Sequence, residues 1–256
     1  MAAAYDTYDY ESYWKGREYE HQAEIEVLKD FLDKIQKIDK ILEIGTGYGR
    51  LVPTYAHRAK KLIISDPSAG LLKEARANLK KYKPRFIQAG YDTLAGKLRA
   101  KTIDLIILVR VLHHIDDPKD CFEVVNRLLD DKGYFILEFP NKSHFKAKFG
   151  ELLKGNITYP IDIFTKDIRS EKSKRQKCIP FNNYHPDKIG HLLKETGFEI
   201  IEKRSASNFR SPLLKRTFPI NFVLGVEKFL QKPLAWLNFG PSIFILARKK
   251  KHITDL

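Results

Sequence analysis

The residues best placed to do chemistry begin with a glycine cluster, Ile41-Leu-Glu43-Ile-Gly45-Thr46-Gly47-Tyr-Gly49-Arg50, directly after a short β-prone run. Glycines at such a place let the backbone turn tightly and let a ligand approach the main chain. In an open parallel sheet, ligands bind outside the carboxyl ends of the strands, where this loop would lie. A dinucleotide would need Gly or Ala three residues after the second glycine, so that a helix N-terminus can receive its pyrophosphate. Arg50 stands there, and the dinucleotide pattern fails at its last element. Metal chemistry finds no support either: Cys121 and Cys178 are the two cysteines, and no Cys/His cluster has zinc-site spacing.

The surrounding pattern supplies a scaffold for that loop. Residues 18–37 read as an amphipathic helix, Lys40–Ile44 as a strand, and Arg50–Ala59 as a helix with one apolar side. Lys61–Ser65 is the next strand, and Ser68 is placed to cap a helix over 69–82. Strands follow at Arg85–Gln88, Ile103–Val109 and Gly133–Phe139, the second a continuous apolar run of the kind buried on both faces. A helix opens at Pro118 and runs to about Leu129. The rhythm breaks after Pro140 and resumes with the helix Pro186–Thr196 and the strand Phe198–Lys203. A second irregular segment with a helical piece around Phe222–Leu230 precedes a last strand, Ser242–Arg248. Alternating strands and helices predict right-handed crossovers and a parallel sheet covered on both faces.

The loop and its context resemble the class I S-adenosylmethionine-dependent methyltransferases, small-molecule type: an acidic residue, Glu43, then glycines at alternate positions. The resemblance covers about residues 10–140 and 184–207 plus the last strand. It implies a doubly wound, Rossmann-like, mostly parallel seven-stranded α/β sheet, with residues 1–256 as a single methyltransferase domain. On that plan 10–38 form an N-terminal cap helix, and 141–183 and 208–240 are basic insertions in the C-terminal half. It also implies S-adenosyl-L-methionine as cofactor, with Glu43, Gly45, Thr46, Gly47 and Gly49 around its amino-acid end. Asp66 and Pro67 match the position that grips the ribose, where one carboxylate accepts from both hydroxyls. Gly90 stands where the family commonly has an aspartate for adenine, and Tyr91 and Asp92 are the substitutes. Val109 and Arg110 match the segment flanking the transferred methyl. Arg17 and Tyr19, in a stretch like the family's N-terminal cap, are placed to meet the cofactor's carboxylate.

Methyl transfer is an in-line displacement in which the protein supplies alignment and excludes water. A general base is needed only for an acceptor that is protonated at the working pH. His114 and His113, after the fourth strand, are the candidate catalytic residues, though packing is the plainer role for each. Tyr184 and His185 face the same rim in this topology, and Trp14 and Tyr13 read as cap packing. Leu108-Val-Arg-Val replaces the Asn/Asp-Pro-Pro-aromatic signature of amino-methylating nucleic-acid enzymes, and no Pro-Cys nucleophile is present. Adenine-N6 and cytosine-C5 methylation are thereby disfavoured.

Charge is split along the chain. Net charge is +14, yet residues 1–140 carry 23 basic and 22 acidic side chains, whereas 141–180 carry 10 and 4 and 208–256 carry 9 and 2. In the expected topology both insertions leave from the ligand-binding edge, so they form a basic lid over the substrate mouth. That lid fits a small-molecule methyl acceptor that is anionic or lipid-linked, with oxygen weakly favoured as the methylated atom. RNA methylation with the basic segments on phosphates is the alternative, and a non-catalytic cofactor-binding partner subunit is another. Aromatic residues between Leu213 and Phe239 also permit peripheral membrane contact. With no signal peptide at its start and no apolar run of about 18 residues, the chain reads as cytoplasmic.

Overall fold

A computed structural model describes residues 10–169, 174 and 181–250; Cys178 and the rest of the lysine-rich stretch at 170–180 lie outside them. Seven strands form one sheet: β1 (Lys40–Ile44), β2 (Lys61–Asp66), β3 (Arg85–Gln88), β4 (Ile103–Leu108), β5 (Leu129–Pro140), β6 (Phe198–Ala206) and β7 (Ser242–Lys249). Their order is β3-β2-β1-β4-β5-β7-β6. The first five run parallel, and β7 lies antiparallel between β5 and β6.

Burial explains why β4 reads as an unbroken apolar run. Ile103, Ile106 and Leu108 enter one core cluster while Leu105 and Ile107 enter the other, all fully buried. The first cluster is closed by α5 (Tyr91–Leu94), α6 (Pro118–Leu128) and α8 (Pro186–Glu195). The second is closed by α2 (Glu18–Leu32), α3 (Val52–Tyr55) and α4 (Ala69–Asn78). Local chemistry sets the helix starts: Ser68 Oγ accepts from Leu71 N at 3.1 Å, and Asp117 accepts from the amides of Lys119 and Asp120 ahead of Pro118.

Several elements differ from the sequence expectation. The cap is two helices, α1 (Tyr10–Trp14) and α2, separated by Gly16 at φ +73°. Helix α2 stops at Leu32, and the loop beyond buries Ile35 and Ile38, whose spacing imitates another helical turn. Residues 50–59 give only α3 and a single 3-10 turn, Ala56–Arg58. After β5 come α7 (Phe145–Leu153) and a 3-10 turn, Tyr159–Ile161; after β6 come α9 (Pro212–Thr217) and α10 (Ile220–Trp236). Helix α10 runs well past Leu230 and through Pro233.

Candidate functional site

Strand order reverses between β1 and β4, so the loops that follow them diverge and leave a crevice. The two loops touch at its floor: a Cβ on Gly45 would sit 2.3 Å from Val111 Cγ2, and φ there is +72°. Gly49 closes on Leu79 in the same way, at 2.5 Å. Gly47 differs. It also has positive φ, +58°, but a Cβ there would meet nothing within 4 Å, so this part of the backbone lies open to the crevice.

That crevice is a cavity of about 320 Å³, within the usual range for a small-molecule or cofactor site. Glu43, Gly45, Thr46, Gly47, Asp66, Pro67, Tyr91, Asp92, Val109, Arg110 and His114 all line it. Asp66 Oδ2 accepts from Gly47 N and Oδ1 from Ser68 N, both at 2.9 Å, so one carboxylate ties the end of β2 to the glycine loop. Each carboxylate oxygen can accept more than one hydrogen bond, a chemistry that suits a pair of hydroxyls. Glu43 is almost fully buried and accepts from Thr46 Oγ1 and Tyr55 Oη. Burial pushes its carboxyl up to about 7, against the opposing effect of those hydrogen bonds. An open glycine cradle, a hydroxyl-accepting carboxylate and a buried acid together fit a nucleoside bearing a positively charged amino-acid tail.

Arg110, one of the expected cofactor residues, and Arg50, which was not among them, both stand at this cavity. Glu24, fully buried on α2, takes Arg50 Nη2 at 2.6 Å and the Arg110 guanidinium on its other oxygen. Burial alone would raise the Glu24 carboxyl, but Arg110 and Arg50 outweigh it and hold it low. Trp14 lies across both cations, 3.6 Å from Arg50 Cζ and 4.6 Å from Arg110 Cζ to the ring centre. The cap therefore roofs the site through stacked charge. Arg110 carries positive φ (+59°), fixed by its amide donating to Glu138 Oε2 at 2.8 Å.

The two cap residues assigned to the cofactor lie elsewhere. Tyr19 is buried: its hydroxyl donates to Glu227 Oε2 at 2.6 Å and accepts from Phe209 N at 2.9 Å, joining α2 to α10. Both hydrogen-bonding directions are committed to the fold, which corrects the expectation. Arg17 packs over the Tyr13 ring at 4.2 Å and lines a neighbouring cavity instead.

This second cavity, about 410 Å³, shares Trp14, Arg110 and His114 with the first. Arg17, Arg169 and Arg210 stand in its wall with His113 and His144. Arg169 is paired with Asp167, and Arg210 shares Glu20 with Lys215, whereas Arg17 has no carboxylate partner among the described residues. Glu138 is the acid in the wall; burial raises its carboxyl in spite of Arg110. His144 caps α7 by accepting from Ala147 N on Nδ1, and burial together with Arg210 lowers its pKa to about 4. Its proton therefore sits on Nε2 near neutral pH. Ser207, directly after β6, is buried at φ +61°, its hydroxyl has no hydrogen-bond partner among the described residues, and it lines the same cavity. Sequence reasoning missed Ser207, His144, Arg169 and Arg210 because only the topology brings the three segments that carry them together here.

The His113 and His114 rings lie tilted against each other at 3.8 Å, and His113 also meets Phe181 at 4.3 Å, so His113 is packed between rings at the edge of the second cavity while His114 reaches both cavities. Tyr184 and His185 are structural: Tyr184 Oη donates to Ile115 O, and His185 caps α8 with Nδ1 and meets Pro160 O with Nε2. Cys121 is fully buried in the core. Among the described residues no group of three or more His, Cys, Asp or Glu is arranged to hold a metal.

A doubly wound sheet with a glycine-loop crevice at its switch point is the architecture of the class I S-adenosylmethionine-dependent methyltransferases, and the family match agrees with it. The chain belongs to the family described as "Methyltransferase domain", whose model matches residues 13–203. It is 23% identical over 219 residues to the tRNA 5-carboxymethoxyuridine methyltransferase of Escherichia coli O157:H7, covering 82% of this chain and 80% of that one. An uncharacterized methyltransferase of Schizosaccharomyces pombe is 27% identical over 203 residues, covering 74% and 72%. Among solved structures, an S-adenosylmethionine-dependent methyltransferase of Thermotoga maritima superposes with a TM-score of 0.63 at 16% identity, covering 96% of this chain and 98% of that one. The chain is thus an enzyme that uses S-adenosylmethionine to methylate an acceptor. No described helix is long and apolar enough to cross a membrane.

Proposed function

We propose that the enzyme methylates an oxygen atom of a small anionic acceptor held in the second cavity. The observation that carries this reading is the wall of that cavity: Arg17, Arg169 and Arg210 line a space that adjoins the first cavity and shares Trp14, Arg110 and His114 with it. Bound S-adenosylmethionine supplies an activated methyl group and its thioether leaving group. Glu43, Thr46 and Asp66 would hold the cofactor, with Arg50 at its polar end. Arg17 and Arg210 would draw the anion, and the Ser207 hydroxyl and His144 Nε2–H would orient its oxygens. An ionised carboxylate or phosphate oxygen already offers its lone pair, so no general base is required. His114 then serves as a wall that aligns the acceptor and excludes water.

The name of the Escherichia coli relative specifies an acceptor that is both carboxylated and part of tRNA. The first property agrees with the arginine wall. The second sustains an RNA reading, in which the basic insertions would carry flanking phosphates. A methyl-transfer assay across carboxylated, phosphorylated and lipid-linked small molecules and tRNA tests the choice. Arg210→Gln or Arg17→Gln raises the acceptor KM about tenfold, the scale of one charge-assisted hydrogen bond, with cofactor affinity unchanged. An unchanged KM in both variants overturns the anionic-acceptor reading.

A further inference from the structure

Helix α10 is polarised the wrong way for a helix on a soluble surface. The stripe facing α2 and β6 is Val223, Glu227, Gln231 and Ala235, all buried. Glu227 is held there by Tyr19 and Asn208, while Gln231 Nε2 donates to Ala23 O. The opposite side carries Phe222, Phe229 and Trp236, seven residues apart and so in one line along the helix, with Phe229 80% and Trp236 84% exposed. A helix normally turns such a stripe to the core.

Helix α7 extends the same surface. The Phe145 ring stacks on Phe239 at 5.0 Å, its amide donates to Phe239 O, and Lys148 Nζ donates to Leu237 O, so α7 is clamped to the C-terminal end of α10. Phe149, Leu152 and Leu153 on α7 are exposed, and so are Ile157, Ile161 and Phe164 beyond it. At the other end, Phe218 stacks on Phe222 at 5.5 Å and carries the surface onto α9. Lys146 and Arg216 stand exposed among these groups with no ion-pair partner among the described residues. His144 and Arg210, the residues beside α7 and α9, line the acceptor cavity, so the apolar surface borders its mouth.

We propose that this face rests in the headgroup region of an anionic lipid bilayer, holding the acceptor cavity at the membrane surface. Aromatic and aliphatic groups interleaved with free cations are the composition of an interfacial surface. The net positive charge of both insertions complements anionic headgroups. RNA is less well matched: the aromatic rings offer faces on which bases can stack, but the exposed Leu152, Leu153, Ile157 and Ile161 beside them do not. The docking stands apart from the acceptor's identity and is read without turnover.

The test is co-sedimentation of the full chain with equimolar phosphatidylglycerol–phosphatidylcholine vesicles, compared with phosphatidylcholine alone. The anionic vesicles are expected to bind the chain, and Phe229→Ser with Trp236→Ser lowers partitioning by about tenfold or more, leaving S-adenosylhomocysteine binding unchanged. Trp14 and Trp236 are the two tryptophans. The blue shift in emission on vesicle binding vanishes in Trp236→Phe while sedimentation persists. Lys146→Glu with Arg216→Glu weakens binding to the anionic vesicles. Failure to bind these vesicles overturns the proposal, as does binding indifferent to the Phe229 and Trp236 changes. A self-associated chain that Trp236→Ser dissociates, or tRNA binding lost in the same double variant, assigns the face to another partner and equally overturns it.

Discussion

At the residue scale, each carboxylate of the site has a separable task. Asp66→Ala removes both the hydroxyl acceptor and the tie to Gly47, and raises the Kd for S-adenosylhomocysteine by about 10–100-fold in calorimetry. Tyr19→Phe leaves cofactor affinity unchanged but deprives buried Glu227 of a donor, and denaturant unfolding registers a loss of about 1–3 kcal/mol. Glu43 titrates at about 7 in the folded protein against 4.5 ordinarily, so the native state keeps a proton that the unfolded chain has released. Its contribution is complete below pH 4.5 and is lost as pH rises through about 7. Melting temperatures followed across that window fall less steeply for Glu43→Gln than for the parent chain. Asp66 and Glu43 were legible in sequence because Asp66 ends β2 ahead of Pro67 and Glu43 is the next-to-last residue of β1 ahead of the glycine turn. Tyr19 was misread because a tyrosine on a cap helix looks the same whether it faces a ligand or a neighbouring helix; only α10, some two hundred residues later, decides.

At the element scale, the glycine loop separates packing from binding. Gly45→Ala drives a methyl group into Val111 from a left-handed backbone, so both stability and cofactor binding fall. Gly47→Ala meets no protein atom and costs only backbone strain of about 1 kcal/mol, yet it fills the cradle. Its expected signature is a small shift in Tm with a disproportionate loss of cofactor affinity, and equal losses would remove Gly47 from the binding surface. The strands were readable because β4 is buried on both faces and has no need to alternate. Helix ends were less so. The continuation of α2 was suggested by isoleucines that in fact anchor a loop, and the length of α10 was hidden by Pro233, which the helix accommodates in its last turns.

At the scale of the whole molecule, the uneven charge distribution makes ionic strength diagnostic. For a small anion, the logarithm of kcat/KM falls against the logarithm of salt with a slope of about −1 to −2, whereas an RNA engaging six or more phosphates gives a slope steeper than about −4. The sequence placed the surplus charge in residues 141–180 and 208–256, but it could not show which distant segments meet around one cavity. Strand β7 has a further consequence. Of the seven strands in the sheet it comes last in the chain, yet it lies between β5 and β6 and hydrogen-bonds both. Until Ser242–Lys249 leaves the ribosome, two raw edges face each other across a gap, and the segments hanging from them have no fixed separation. The second cavity, whose wall includes Ser207, Arg210, Pro241 and Ser242, therefore closes only when β7 joins the sheet, whereas every residue lining the first cavity lies before β5 in the chain.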